Sequence, residues 1–164
     1  KAVKGEPGIF AYQLTPAGTD LKPIVEAIGV WGHRWIETEA SLKNLDVDLL
    51  MWNMRRNLKP EEMPAARSIV QIIFSDLART QRNWWFIVDP EHGTDLCSID
   101  PGFEVDLYLS TDLRTMTEVY MGYTPLSKAQ ACGRLSITGS RKLEKSIASW
   151  FGRSSLAKVE RMVA

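Results

Sequence analysis

The chain is poor in the residues that catalysis and metal binding draw on most. Two histidines and two cysteines occur in 164 residues, scattered as His33, His92, Cys97 and Cys132. A metal site would need unusual convergence of these groups, and none is expected. Two cysteines so far apart do not make a secreted disulfide scaffold; reduced, partly buried thiols of a cytoplasmic protein are expected. No apolar run is long enough to cross a bilayer. No nucleophile elbow, Walker loop or dinucleotide fingerprint is present. The span Gly133–Gly139 is no phosphate loop, because the residues between its glycines alternate apolar and polar as in a strand. Net charge is missing too: 20 Lys and Arg balance 20 Asp and Glu, for a formal charge of +0. That argues against a strongly basic nucleic-acid surface. The start, Lys1 to Gly8, has neither an initiator Met nor the apolar core of a signal peptide, and residues upstream of Lys1 are expected. No catalytic residue and no cofactor is assigned.

What the chain does have is apolar mass. Hydrophobic residues make up 45% of it, including six Trp. That is enough for a core and for large apolar surfaces in a pocket or interface. Residues 1–14 hold a Gly5-Glu6-Pro7-Gly8 turn followed by a short strand, Phe10 to Leu14. Thr15 is placed as a helix N-cap with Pro16 at the first helical position. The helix to about Ile36 carries Leu21, Ile24, Ile28, Trp31 and Trp35 along one side, at alternating spacings of three and four. That seam fits a helix packed on its own domain or a helix-to-helix dimer contact.

Glu37 to Asp46 is polar, with a linker at 37–44. Val47 to Leu58 reads as an amphipathic helix, with Val47, Leu50, Met51, Met54 and Leu58 on one stripe and Asp48, Asn53, Arg55 and Arg56 off it. Four strands follow, Arg67–Ser75, Arg82–Asp89, Thr94–Asp100 and Glu104–Ser110, and the short turns between them imply an antiparallel meander. Helical patterns then begin with a cap at Thr111 and an end near Gly122, and at Thr124-Pro125 with an end at Gly133. A fifth strand, Arg134 to Thr138, precedes a helix capped by Ser140 and a last helix from Ser154 or Ser155. Strands followed mostly by helices indicate an α+β domain.

Two segments resemble known families. Tyr12-Gln13-Leu14-Thr15-Pro16-Ala17-Gly18 before a helix is similar to the last wing strand and closing helix of HxlR-type winged-helix regulators. Ala129-Gln130-Ala131-Cys132-Gly133-Arg134-Leu135-Ser136-Ile137-Thr138-Gly139 resembles a segment of sterol-carrier-protein-like domains, and Phe103 to Leu113 is similar to the strand and helix that precede it there. Gln130 stands where that family often has Phe. The second resemblance covers about Leu45 to the C-terminus. It implies a five-stranded, mainly antiparallel sheet covered by helices, with an apolar tunnel for a fatty-acyl, sterol or other apolar ligand. Some HxlR-type regulators carry such a domain after the winged helix. The implied division is 1–36, the end of a winged helix with a dimerisation helix; 37–44, a linker; and 45–164, a ligand-binding domain.

The residues expected to line the apolar pocket are Leu50, Met51, Met54, Phe74, Trp84, Phe86, Leu107, Leu109, Met116, Tyr120, Leu135, Ile147, Trp150 and Phe151. Ordinary core packing is the alternative for each. Met51, Met54 and Met116 favour a pocket, because flexible thioethers suit variable apolar ligands. Trp84 and Trp85, adjacent on a strand, must face opposite ways. Glu104, Asp106 and Asp112 have no neighbouring His to work with, and structural roles are expected. Lys1 and Lys4 are placed on DNA phosphates in the full-length protein, whereas Arg141, Lys142 and Lys145 read as a solvated helix face.

The expected function is the effector part of a transcription regulator. An apolar small molecule or lipid would bind and shift the arrangement of a homodimer, and with it DNA binding by the full-length protein. This chain alone is not expected to bind operator DNA specifically. The alternatives are a stand-alone lipid or sterol carrier, an acyl-ester hydrolase, and a purely structural domain.

Overall fold

The computed structural model describes residues 12–64, 66–89 and 91–163. The chain forms two compact units, Lys1–Ile36 with Val159–Ala164, and Glu37–Lys158. Lys1, Lys4 and the Gly5–Gly8 turn lie outside the described residues, as do Phe10 and Ala11 of the expected strand; Tyr12–Leu14 is not a strand.

The first unit is built on α1, Pro16–Trp35. Thr15 caps it as expected, its hydroxyl accepting from the Gly18 N–H at 3.2 Å, and Pro16 occupies the first turn. Pro23 lies within the helix and offers no N–H to the preceding turn. At the other end the Arg161 guanidinium donates to the carbonyls of His33 and Ile36, and the Met162 N–H donates to that of Arg34. The last-turn carbonyls of α1 thus acquire a cationic partner, the favourable sign at a helix C-terminus.

The second unit is an α+β domain with one five-stranded sheet in the order β3-β2-β1-β4-β5. Its strands are β1 Ser68–Phe74, β2 Asn83–Asp89, β3 Gly93–Cys97, β4 Leu107–Thr111 and β5 Leu135–Gly139. The helices are α2 Thr38–Ser41, α3 Val47–Asn57, α4 Leu113–Met121, α5 Leu126–Ala131 and α6 Arg141–Trp150. Neighbouring strands pair antiparallel except β1 and β4, which are parallel. The sheet is therefore mainly antiparallel, but not the meander that the short turns implied. After β3 the chain crosses to the far side of β1. Burial explains why. Leu107 and Leu109 are fully buried and need a central strand, whereas β3 is a half-exposed edge. The Asp106 carboxylate fixes the arrival of β4 by accepting from the Ile69 N–H at 2.8 Å.

Strand alternation sorts the sheet into two faces. Val70, Ile72, Phe74, Trp84, Phe86, Val88, Leu107, Leu109 and Leu135 join the core with α3, α4 and α6. Trp84 belongs to this core; Trp85 is also buried but lies outside it, as adjacent strand positions require.

Three expectations about helix caps and lengths change. The cap of α4 is Asp112, whose carboxylate accepts from the Thr115 N–H at 2.7 Å; Thr111 is the last residue of β4. The last helix is a single 3₁₀ turn, Ser155–Lys158. Ser140 precedes α6, but its side chain makes no capping bond. The polar stretch read as a linker contains α2 and a buried Leu42.

Candidate functional site: an apolar core with a polar cleft at its edge

The residues expected to line a pocket all lie in one buried cluster between the sheet and its helices. α3 contributes Leu50, Met51 and Met54 because its apolar residues recur at helical spacing. Met116 and Tyr120, one turn apart on α4, and Ile147, Trp150 and Phe151 from the end of α6 complete the layer over the strands. Met51 and Met116 are fully buried. The buried Trp side chains satisfy their polar ends locally: Trp84 donates to the Gln81 carbonyl and Trp150 to that of Leu143.

A polar cleft opens at one edge of this layer, about 510 Å³ in volume and lined by Asn53, Arg56, Asn57, Tyr120, Met121 and the 154–156 segment. Two close approaches build it. A β-carbon at Gly152 would stand 1.4 Å from the Asn57 carbonyl oxygen, so only glycine lets the chain after α6 lie against the end of α3. Gly122 ends α4 with φ +80°, and a β-carbon there would come 2.7 Å from that of Ala157. The Ser154 N–H donates to the Tyr120 carbonyl at 2.9 Å and ties the segment to α4.

Tyr120 belongs to both regions. It is a member of the core cluster and also lines the cleft, where its hydroxyl accepts from the Asn57 side-chain amide. Burial pushes the phenol above its ordinary range, against the opposing effects of Asn57's hydrogen bond and the Arg56 charge. Arg56 donates to the Asn53 side-chain oxygen at 2.9 Å and has no carboxylate partner among the described residues. Sequence reasoning did not reach this cleft. Asn53, Arg56 and Asn57 share a helix side by their spacing, but a polar helix side ordinarily means solvent.

A second polar cluster is structural. The Glu118 carboxylate is almost buried and accepts from Arg134 at 2.7 Å, Arg114 at 3.3 Å and the Thr124 hydroxyl at 3.2 Å. Arg114 also pairs with Glu39, the main reason its pKa is raised; that of Arg134 is raised chiefly by Glu118. These contacts bind α4 to α2, to the loop before α5 and to the start of β5.

The other candidates stay apart. Asp106 and Asp112 are engaged in holding backbone N–H groups, and Glu104 is exposed. His92 contacts Asp89 in an exposed turn. No group of three or more His, Cys, Asp or Glu able to hold a metal occurs among the described residues. Cys97 and Cys132 are free. Arg141, Lys142 and Lys145 are exposed on α6. On α1, Leu21, Ile24, Ile28, Trp31 and Trp35 are 47–62% exposed. Among the described residues, no helix is long and apolar enough to cross a membrane.

Comparison with known proteins adds two findings. The family model for HxlR-like helix-turn-helix proteins matches residues 1–40. The N-terminal segment is HxlR-like. Its described part runs from Tyr12 through α1 to Ala40, within α2. The sec-alkylsulfatase Pisa1 from Pseudomonas sp. is 16% identical over 71% of this chain, with a TM-score of 0.51. That match concerns fold alone, and the chain covers only 18% of the sulfatase. Sterol carrier protein 2-like 2 from Aedes aegypti is 15% identical over 62% of this chain and 93% of its own, with a TM-score of 0.45. A sterol carrier protein domain from Helicoverpa armigera is 14% identical over 62% of this chain and 79% of its own, also at 0.45. No curated protein matches the chain.

Proposed function

We propose that residues 45–164 are the ligand-binding part of a transcription regulator, taking up an apolar small molecule or lipid. The observation that carries this reading is the presence, in one chain, of an HxlR-like segment and a sheet whose helix-covered face gathers the whole apolar set, with Met51, Met54 and Met116 among it. Methionine side chains can rearrange around apolar guests of varied shape. In this reading Leu50, Phe74, Trp84, Phe86, Leu107, Leu109, Met116, Tyr120, Leu135, Ile147, Trp150 and Phe151 move apart around the ligand with Met51 and Met54. The exposed side of α1 pairs with a second copy. Lys1 and Lys4 contact DNA phosphates in the full-length, cytoplasmic dimer. Ligand binding biases one arrangement of the dimer and so changes operator affinity. The role is binding, without catalysis.

Tryptophan fluorescence tests the reading, because Trp84 and Trp150 sit in the proposed lining. Titration with a long-chain fatty acid should give a saturable change. An unchanged spectrum across fatty acids and sterols would refute it. A second reading is an acyl-ester hydrolase, since part of an alkylsulfatase shares the fold. Turnover of alkyl sulfates or acyl esters by this chain, lost on changing Asp106 or Asp112, would establish that instead.

A further inference from the structure

The cleft beside Tyr120 has a chemistry that the apolar reading leaves unused. Its donors outnumber its acceptors. The Arg56 guanidinium is held by one hydrogen bond, to Asn53, and faces no carboxylate among the described residues. The Tyr120 hydroxyl accepts from Asn57, which leaves its own proton without an acceptor among the described residues. Ser154 is in the same state, its oxygen taking the Leu156 N–H at 3.2 Å and its proton having no acceptor among the described residues. Ser155 adds an exposed hydroxyl at the rim, while Met121 and Leu156 supply an apolar edge.

A cation and hydroxyl donors converging on one cavity, with no anion of the protein's own, match an oxyanion. We propose that this cleft binds the oxyanion group of a small organic acid, a carboxylate or a phosphate, with Arg56 as its charge partner and the Tyr120 and Ser154 hydroxyls as donors. Charge-assisted bonds from a guanidinium are the strongest that such a cleft can offer. Asn57 is a positioning residue: it holds the Tyr120 oxygen by one side-chain N–H and is itself anchored to the Asn53 carbonyl at 3.1 Å. The cleft adjoins the apolar layer through Tyr120. An acid with a short apolar tail can therefore place its head here and its tail along Met121. The inference deepens the apolar-ligand reading but does not depend on it, since the cleft is formed as it stands.

The test is an NMR titration of the 164-residue chain with three probes: octanoate, octan-1-ol and inorganic phosphate. Octanoate, phosphate or both should shift the amide signals of Asn57, Tyr120 and Ser154–Leu156, and octan-1-ol should leave them in place. Octanoate alone would identify the head of an amphiphile; phosphate alone would identify a free anion. Arg56→Gln should weaken the binding on the order of ten- to hundredfold. Tyr120→Phe should weaken it several-fold with the rest of the spectrum unchanged, and Arg141→Gln on exposed α6 should have no effect. Equal shifts with octan-1-ol, no shift with either anion, or unaltered binding by Arg56→Gln would overturn the proposal. The methyl signals of Met51 and Met116 report apolar uptake separately, so failure of one reading is visible apart from failure of the other.

Discussion

Gly152 packs so closely on the end of α3 that a β-carbon there would meet the Asn57 carbonyl oxygen at 1.4 Å. The obstacle is backbone, not the end of a flexible side chain, so it cannot turn aside. The contact also sets the distance between Asn57 and the Ser154 segment, and with it the width of the cleft. Gly152→Ala should cost about 3 kcal/mol or more, the upper range of overpacking. Urea unfolding checks this, and a loss below about 1 kcal/mol would mean that the segment is free to withdraw.

Glu118 bears on stability in a different way. Its carboxylate is nearly buried, but its partners Arg114 and Arg134 are more than one-third exposed. Glu118→Gln should therefore cost only about 1–2 kcal/mol, because both guanidiniums regain water. A double-mutant cycle with Arg134→Gln should show coupling of under about 1 kcal/mol, shrinking in high salt.

His33 gives the first unit a pH response. Burial, and after it the positive charge of Arg161, hold its imidazole below the ordinary 6.5. The fold prefers the neutral ring, and the unfolded chain takes up the proton more readily. Its contribution is fully present above pH 6.5 and is lost as pH falls through the lower folded value. An NMR titration should place the His33 midpoint below 6.5, and His33→Gln should flatten the pH dependence of stability over that window. A midpoint at or above 6.5 would contradict this.

The exposed side of α1 predicts association. Ile28, at the middle of the seam, is 62% exposed. Ile28→Glu should convert a dimer to a monomer in sedimentation while leaving helix content unchanged. A wild-type chain that sediments as a monomer at all concentrations would remove the dimer reading.

Much of this fold was legible because the governing signals are local. Thr15 and Pro16 start a helix through their own chemistry, and Val47, Leu50, Met51 and Met54 announce a buried stripe by spacing alone. The partner of β4 was not legible. Its choice of β1 depends on where Leu107 and Leu109 find burial, a tertiary demand that the short turn at Asp100–Phe103 does not reveal. Asp112 rather than Thr111 caps α4 because Thr111 still belongs to the strand and gives its hydroxyl to the Arg134 carbonyl at 2.9 Å. The apolar members of the candidate site were readable as a set. The cleft was not, because it joins Asn57 to Tyr120 and Ser154, residues far apart in sequence that two glycine contacts bring together.

Native mass spectrometry of the purified chain tests the ligand-binding claim most directly. The expected result is a dimer carrying an extra mass that denaturation releases as an apolar molecule, or a dimer that takes up one lipid per chain when lipids are added. A chain that flies free of any adduct, and stays so across fatty acids and sterols, would contradict the claim and leave the apolar layer as a filled core.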